Sequence, residues 1–314
     1  MKVFVIGGTG FLGTHLLPKL LADGHDVTTL TRHKEKASGL EDLGVKVIVG
    51  DLLQPERWLS SLTPQDAVVA IAMPDIKIGR ISTKRFRAIR DRATTYFTSA
   101  VSAAEKCGCP LIMTQGTALK TDGDEVADET WPFEPFGFAR MAENVLPLLS
   151  KVIERGSPPI IRMLPGQIYG NGGLFKRLMY DWMKKGRYRI IGSGDNYFPR
   201  IHVDDCAQAY VQTLAKMPLG ETFILADDAA CTEREFANQM ADCMNVRRPK
   251  SVPAFIVRLA AGRIIHETVT MNCRVTNARA KESLGWTLTY PTYRQGLPAA
   301  VKQIESDVPH VRAD

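Results

Sequence analysis

A glycine-rich turn near the N-terminus constrains the fold of this chain more than any other feature. The run Gly7-Gly8-Thr9-Gly10-Phe11-Leu12-Gly13 follows an apolar segment and precedes an amphipathic one. Gly7 permits a tight turn, Gly10 lets a pyrophosphate approach the backbone, and Gly13 lets the helix pack closely on the strand. The helix N-terminus also offers free N–H groups to phosphates. The pattern predicts a dinucleotide-binding turn, with contacts from Gly7, Thr9, Gly10, Phe11, Leu12 and Gly13.

The first half of the chain alternates apolar strands with amphipathic helices. Strands are predicted at residues 3–6, 27–31, 45–49, 67–73 and 111–114, and helices at 13–23, 85–107 and 136–150. Repeated strand–helix–strand units imply a parallel sheet with helices on both faces. The strands are continuous apolar runs, as expected for strands buried on both faces. The fold class predicted is therefore α/β, a Rossmann-type doubly wound parallel sheet.

The second half of the chain has shorter apolar segments between helices. We expect strands at residues 159–164, 189–191, 200–203 and 221–225 and a helix at 175–186. No run of Pro, Gly or Ser marks a linker. We therefore predict a dinucleotide-binding domain at residues 1–170. Residues 171–314 would form a smaller C-terminal substrate lobe, with segments that return to the sheet and a cleft between the two parts.

The residues after the second predicted strand bear on the choice of cofactor. Sites specific for NAD place an acidic residue there to bind the ribose 2′-hydroxyl. This chain has Thr31-Arg32-His33-Lys34 instead, and an arginine suits a 2′-phosphate. We expect NADP rather than NAD, although a basic surface loop is the structural alternative. Further contacts are expected from Asp51 and Leu52 to the adenine and from Ala72 and Met73 beside the ribose.

Composition limits the other classes of partner. The formal charge of +6 and the pI of about 9.0 favour anionic ligands, but the basic residues are spread out, so nucleic acid is not expected. The 6 cysteines have no regular spacing, which predicts reduced thiols and no metal site.

The first strand begins at Lys2, leaving no room for a signal peptide. Arg258 and Arg263 interrupt the best apolar run, residues 254–265, so we expect a cytoplasmic protein without a membrane partner.

Several ordered blocks resemble one family. The blocks are the glycine turn, Asp51-Leu52, residues 161–170 with Tyr169-Gly170, residues 191–196, His202-Val203-Asp204-Asp205 and Leu284-Gly285-Trp286. Together they resemble the extended short-chain dehydrogenase/reductases, in the NAD-dependent epimerase/dehydratase branch. The resemblance covers nearly the whole chain. It implies a nucleotide-binding fold and adds cofactor contacts at Pro165 and Ile168.

The same resemblance shows that the catalytic positions have changed. The family uses a tyrosine as acid/base, a lysine that holds the cofactor ribose, and a serine or threonine that orients the substrate. Here Phe136 stands at the tyrosine position and Arg140 at the lysine position. Gly116 matches the serine position, with Thr117 as the alternative. A phenyl ring cannot transfer a proton, whereas Arg140 can still supply positive charge to the ribose.

Four side chains are candidates to replace the missing phenol: Tyr96, Tyr169, Tyr197 and His202. Each has a structural alternative. Tyr169 would pack beneath the cofactor pocket, and His202 would stabilise the turn into the next helix. We take Thr117, Arg140 and Tyr169 as the candidate catalytic residues.

Three functions remain open at this point. One is an NADP-dependent oxidoreductase or epimerase acting on a small carbonyl or hydroxyl compound, with a non-standard acid/base. A second is a non-redox isomerase, and the third is a non-catalytic NADP-binding sensor or partner-binding protein. Trp131, Phe133, Phe136 and Phe138 make one region strongly apolar, which suits a hydrophobic substrate or, equally, the packing of a loop against the lobe interface. A homodimer is expected through helices 85–107 and 136–150.

Overall fold

A parallel sheet of seven strands forms the centre of the protein, as seen in a computed structural model that describes residues 1–33, 35, 37–76 and 79–306. Lys34, predicted beside Arg32, lies outside the described residues. The strands are β1 (Lys2–Ile6), β2 (Asp26–Thr31), β3 (Lys46–Val49), β4 (Ala67–Ala70), β5 (Leu111–Thr114), β6 (Ile160–Pro165), β7 (Gln167–Tyr169), β8 (Ile190–Ile191), β9 (Arg200–His202), β10 (Thr222–Leu225) and β11 (Ser251–Val252). The sheet order is β10-β6-β5-β4-β1-β2-β3, and every pairing in it is parallel. The predicted Rossmann-type fold is confirmed.

The helices connect these strands and cover both faces of the sheet. They are α1 (Phe11–Ala22), α2 (Ala37–Glu41), α3 (Thr83–Cys107), α4 (Val145–Arg155), α5 (Asp181–Lys184), α6 (Val203–Lys216), α7 (Glu233–Cys243), α8 (Ala254–Ala261), α9 (Arg263–Val269), α10 (Ala278–Leu284) and α11 (Tyr293–Ser306). Short 3-10 turns occur at Pro55–Arg57, Leu59–Ser61 and Gly137–Ala142, and a π-helical turn at Phe175–Tyr180.

The sheet is buried on both faces because successive side chains of a strand point to opposite sides. In β1, Val3 and Val5 pack with residues of α1, α6 and α10. Phe4 and Ile6 pack with residues of α3 and α4 on the other face. This two-sided burial explains why the strands are continuous apolar runs.

The second half of the chain contributes to the sheet and also builds a smaller core. Helices α6 and α10 and strand β10 belong to the core of the large sheet. Helices α7 and α11 form a separate cluster around Phe236, Leu297 and Tyr169. Two short parallel pairs, β7 with β9 and β8 with β11, connect these parts.

Two predicted elements differ in the structure. The fourth strand ends at Ala70, so Ala72 and Met73 follow the strand rather than end it. The helix predicted over residues 136–150 is broken: a 3-10 turn at Gly137–Ala142 precedes α4, which begins at Val145. Gly137 has a φ of +52°, which an α-helix does not allow. Phe136 is therefore in extended backbone before the turn.

Within the described ranges, no helix combines the length and the apolar character needed to cross a membrane. The same residues contain no group of three or more His, Cys, Asp or Glu side chains that could hold a metal ion.

Replacing Gly13 with alanine should destabilise the fold. The added Cβ would lie 2.4 Å from the carbonyl oxygens of both Gly7 and Gly8, so the turn or the helix must shift. We expect a loss of about 1–3 kcal/mol in the free energy of unfolding in urea. Gly39→Ala in α2 is the matched control, because its Cβ would meet nothing within 4 Å, and it should be neutral or slightly stabilising. Equal effects of the two variants would contradict the packing role of Gly13.

Candidate functional site

The glycine turn after β1 forms the floor of a cleft at the carboxyl ends of the strands. Gly7 has a φ of +102°, and a Cβ there would lie 2.7 Å from the backbone nitrogen of Ala72. The turn is therefore held against the chain that follows β4, and only glycine fits. At Gly10 a Cβ would meet nothing nearer than the Gly7 carbonyl oxygen at 3.1 Å. This backbone can be approached closely, and it begins α1, as a dinucleotide pyrophosphate requires.

The cleft has a volume of about 700 Å³. Most of the predicted cofactor contacts line it: Gly7, Thr9, Gly10, Phe11, Leu12, Arg32, Leu52, Ala72, Met73, Pro165 and Ile168. Three predicted residues do not: Gly13, Asp51 and Arg140. Gly13 packs against the carbonyl oxygens of Gly7 and Gly8 in the turn. The Asp51 carboxylate accepts a hydrogen bond from the Leu53 N–H at 2.9 Å. Gly50 and Leu52, on either side of Asp51, line the cleft instead.

Two arginines line the cleft from different parts of the chain. Arg32 follows β2, and Arg177 lies in the π-helical turn. Neither guanidinium has an acidic partner among the residues that the structure describes. His33 also lines the cleft, and its ring is hydrogen-bonded to the nearby Glu35 at 3.1 Å. The cleft therefore presents two guanidinium groups that are unpaired within the described part of the chain, while Asp75 adds one carboxylate to its lining.

An apolar cavity of about 220 Å³ adjoins the cleft. Residues that line both spaces include Ala72, Met73, Tyr96, Thr114 and Gly116. The aromatic part of its wall is Phe97, Phe133, Phe136, Phe138 and Phe198. No charged side chain lines the cavity within the described part of the chain.

Arg140 does not lie where the family resemblance predicted. It lines neither the cleft nor the cavity, and its Nε lies 3.4 Å from Oε2 of Glu267, an ion pair without a well-directed hydrogen bond. The spacing of positions 136 and 140 requires a regular helix to place both side chains on one face. Because Gly137 breaks that helix, Phe136 lines the cavity while Arg140 turns to α9. In this arrangement Arg140 borders neither space, and its contact with the cofactor stays a prediction.

Glu267 of α9 organises this segment. Its carboxylate accepts hydrogen bonds from the Gly137 N–H at 3.1 Å and from Nε of Arg263 at 2.5 Å. Burial raises the pKa of Glu267, but these hydrogen bonds and the charge of Arg140 outweigh it and hold the pKa below its ordinary value. The next residue, Thr268, accepts a hydrogen bond from the Phe138 N–H at 2.9 Å. Helix α9 thus fixes the turn that carries the aromatic wall.

The hydroxyls near the predicted serine position are already engaged in hydrogen bonds. Thr117 lines the cavity, and its hydroxyl donates to the carbonyl oxygen of Leu164. The Thr114 hydroxyl is 2.6 Å from that of Tyr210. Gly116 faces both spaces, and a Cβ there would meet nothing within 4 Å. Packing therefore does not prevent a side chain at position 116.

Of the four candidates to replace the phenol, Tyr96 alone lines the cleft and the cavity. Tyr197 lines neither, and His202 is buried and caps α6 by accepting from the Asp204 N–H at 3.2 Å. Burial lowers the pKa of His202 to about 4, so it is neutral at physiological pH. Tyr96 is half-buried on α3, and its hydroxyl has no hydrogen-bond partner among the described residues.

Tyr169 is inside the smaller core and has no exposed surface. Its hydroxyl donates to Asp227 at 3.1 Å, and burial raises the pKa of Tyr169 well above its usual range. Burial also raises the pKa of Asp227, to about 8. This burial agrees with the structural alternative for Tyr169, which packs in the smaller core and has no surface toward the cleft; its catalytic role stays a prediction.

The sequence prediction missed the part of the cleft that comes from residues 173–177. Gly173, Leu174, Phe175 and Arg177 all line the cleft. The signal was the glycine run before them. A Cβ at Gly172 or Gly173 would lie 2.8 or 2.5 Å from the ring of Phe11, so these glycines let the second lobe approach the cofactor turn.

Glu267→Gln should destabilise the protein in a pH-dependent manner. Because the folded pKa of Glu267 lies below its ordinary value of 4.5, ionisation of Glu267 stabilises the folded state above about that pH. We expect the free energy of unfolding of wild type to exceed that of the variant by about 1–3 kcal/mol at neutral pH. This difference should shrink as the pH falls below the ordinary pKa of the glutamate side chain. Urea unfolding across pH checks this. Glu282→Gln, at an exposed residue of α10, should show little difference; a pH-independent loss at Glu267 would contradict the assignment.

Known proteins are similar to this chain in sequence and in fold. The chain is 25% identical over 317 residues to the 3-diazoavenalumate denitrifying reductase of a Streptomyces species, covering 95% of this chain and 99% of that protein. It is 24% identical over 269 residues to a 4-hydroxy-2-methyl-3-oxo-4-farnesyl-3,4-dihydroquinoline-1-oxide ketoreductase of Stigmatella aurantiaca, covering 83% and 79% of the two chains. The fold is similar to that of human epimerase family protein SDR39U1 with NADPH, at a TM-score of 0.76, 21% identity, and coverage of 96% and 99%.

The family itself is shown by a sequence profile that matches residues 3–226. That region contains the glycine turn, both arginines of the cleft and the aromatic wall of the cavity. The chain therefore belongs to the NAD dependent epimerase/dehydratase family.

Proposed function

We propose that this protein is an NADPH-dependent reductase that acts on apolar, aromatic carbonyl compounds. The observation that carries the proposal is the shared wall between the cleft and the apolar cavity. Tyr96, Thr114 and Gly116 border both spaces. A substrate in the cavity would therefore meet the reactive end of a dinucleotide that lies along the cleft with its pyrophosphate at Gly10.

The preference for NADPH over NADH rests on the end of β2. Arg32 and His33 line the cleft there, whereas Glu35 does not and instead holds the His33 ring. An arginine can bind a 2′-phosphate through two hydrogen bonds, and no carboxylate lies at this point to accept the 2′-hydroxyl of NAD. Similar folds occur with either cofactor, NADPH in human SDR39U1 and NAD in the Thermus thermophilus UDP-glucose 4-epimerase, so the preference proposed here rests on Arg32.

The substrate class follows from the cavity wall. Five phenylalanines and no charged side chain among the described lining residues suit an aromatic compound better than a sugar nucleotide. Two relatives carry names of reductases, and one of those names contains a farnesyl group on a quinoline oxide. These names support reduction of a bulky apolar compound here.

The chain's own residues can complete such a reduction. NADPH held in the cleft would supply the hydride for the carbonyl carbon, and the carbonyl oxygen would need a proton from the protein. Tyr96 is the phenol that lines the shared wall; its O–H would transfer the proton and be restored from water in the open cleft. Thr114 also borders both spaces, but its hydroxyl is paired with that of Tyr210, so Tyr96 is the hydroxyl-bearing residue of the shared wall to which we assign a role. Phe136 contributes packing and no proton.

Arg32→Ala should reduce the affinity for NADPH selectively. Loss of charge-assisted hydrogen bonds to the 2′-phosphate is worth about 1.5–3 kcal/mol, so we expect Kd for NADPH to rise by about 10–100-fold. Kd for NADH should change little, because NADH lacks that phosphate. Titration of each nucleotide into the purified protein measures both constants. Arg57→Ala, an exposed residue away from the cleft, is the control; equal losses for both nucleotides would remove the argument for NADP.

Tyr96→Phe should reduce turnover while leaving NADPH binding intact. Removing a general acid typically lowers the rate by about 10²–10⁴-fold. The measurement is NADPH oxidation with a panel of aromatic aldehydes, aryl ketones and quinones. Tyr197→Phe is the matched control, since Tyr197 lines neither space, and it should keep wild-type turnover.

Two outcomes of that experiment would redirect the assignment. If Tyr96→Phe turns over as fast as wild type, the proton comes from another group. If wild type binds NADPH tightly but oxidises it with no member of the panel, the non-catalytic NADP-binding function becomes the better conclusion.

A further inference from the structure

Helix α8 carries an apolar face that points away from the protein. Phe255 is 63% exposed, Ile256 is 44% exposed and Leu259 is 73% exposed. At 100° per residue these three side chains lie within one side of the helix. Ala254, Val257 and Ala261 are half-buried on the opposite side and provide the attachment to the body. No residue of α8 is buried, so fold stability does not explain the outward apolar side chains.

This face lies beside the rim of the site. The carbonyl oxygen of Ala261, at the end of α8, accepts a hydrogen bond from the Ile81 N–H at 3.4 Å. Ile81 belongs to the segment between the cleft residue Pro74 and helix α3. From the same end of α8 the chain continues into α9, whose residue Thr268 lines the apolar cavity. The exposed face and the cavity are therefore parts of one small region.

Basic side chains surround the apolar face. Arg258 and Arg263 lie on α8 and α9, and Arg80 and Lys84 lie on either side of Ile81 and Ser82; all four are exposed. Arg263 is paired with Glu267, whereas Arg258 and Lys84 have no acidic partner among the described residues. The region is therefore apolar at its centre and cationic at its edge.

The combination of an apolar centre and a cationic edge distinguishes between the possible binding partners of this face. In a symmetric contact between two copies of the chain, the same patch meets itself, so the arginines of the two copies would repel each other. The surface of an anionic bilayer accepts both features, since apolar side chains enter the boundary of the acyl chains and cations bind lipid phosphates. The apolar cavity nearby would then be close to compounds dissolved in that bilayer.

We propose that the face formed by Phe255, Ile256 and Leu259, with Arg258 at its edge, docks on an anionic lipid surface. The sequence led us to expect no membrane partner because Arg258 and Arg263 interrupt the apolar run. In the folded protein Arg258 flanks the exposed face instead. The proposal goes beyond the proposed reductase activity, and its test measures lipid binding without any turnover.

The test is co-sedimentation of the full chain with vesicles of phosphatidylcholine alone or mixed with phosphatidylglycerol. We expect binding to the anionic vesicles and weak binding to phosphatidylcholine alone. The Phe255→Ser/Leu259→Ser double variant should lower partitioning by about tenfold or more. Leu219→Ser is the matched control, because Leu219 is 52% exposed and distant from α8 in the sequence, and it should bind as wild type. Arg258→Glu should weaken binding to the anionic vesicles selectively.

Three results would overturn the proposal. The first is that wild type stays in the supernatant with anionic vesicles. The second is that the double variant binds these vesicles as well as wild type does. The third is light scattering that shows a wild-type dimer converted to a monomer by the double variant, because a second copy then covers the face. Thermal unfolding of each variant separates loss of binding from loss of fold, and Arg258→Glu tests the proposal without removing any apolar side chain.

Discussion

The hydrogen bonds of Glu267 determine the shape of the site. Its carboxylate binds the backbone N–H of Gly137 and the side chain of Arg263, and it lies close to Arg140. These contacts hold helix α9 against the turn that contains the aromatic wall. A Cβ at Gly137 would lie 2.5 Å from the Thr268 hydroxyl, so the approach is as close as backbone allows. This contact therefore sets the positions of Phe136 and Phe138 in the cavity wall and turns Arg140 toward α9.

The sequence predicted those parts of the fold that depend on local patterns. The turn from Gly7 to Gly13 and the apolar strands were predictable because each depends on neighbours in the chain and on burial from both sides. The position of Arg140 was not predictable from the motif, because its partner Glu267 lies on a helix far along the chain. Tyr169 had the right motif neighbours, yet its hydroxyl is turned to buried Asp227. Direction of a side chain depends on tertiary packing, which one sequence does not display.

The rebuilt site changes which element can supply a proton. In the family pattern the phenol comes from position 136, on the segment that α9 now holds. In the proposed reductase the half-buried phenol of Tyr96 would take this role from α3, a long regular helix packed on the sheet by Phe97 and Ala100. A donor on a rigid helix is positioned more reproducibly than one on a short turn. The open space at Gly116 leaves room for part of a bulky substrate where the family has a hydroxyl.

The ring of Phe11 packs against Gly172 and Gly173 of the second lobe, and no sequence motif describes this contact. Phe11 belongs to the turn that would carry the pyrophosphate, yet its ring fills the space above Gly172 and Gly173. A methyl group at either glycine would displace the ring of Phe11. The glycine turn that contains Phe11 would then be the first part of the fold to shift. Variation in residues 172–173 should thus be restricted as tightly as variation in the glycine turn itself. In a set of natural sequences, the size of residue 11 and the presence of these glycines would be expected to change together.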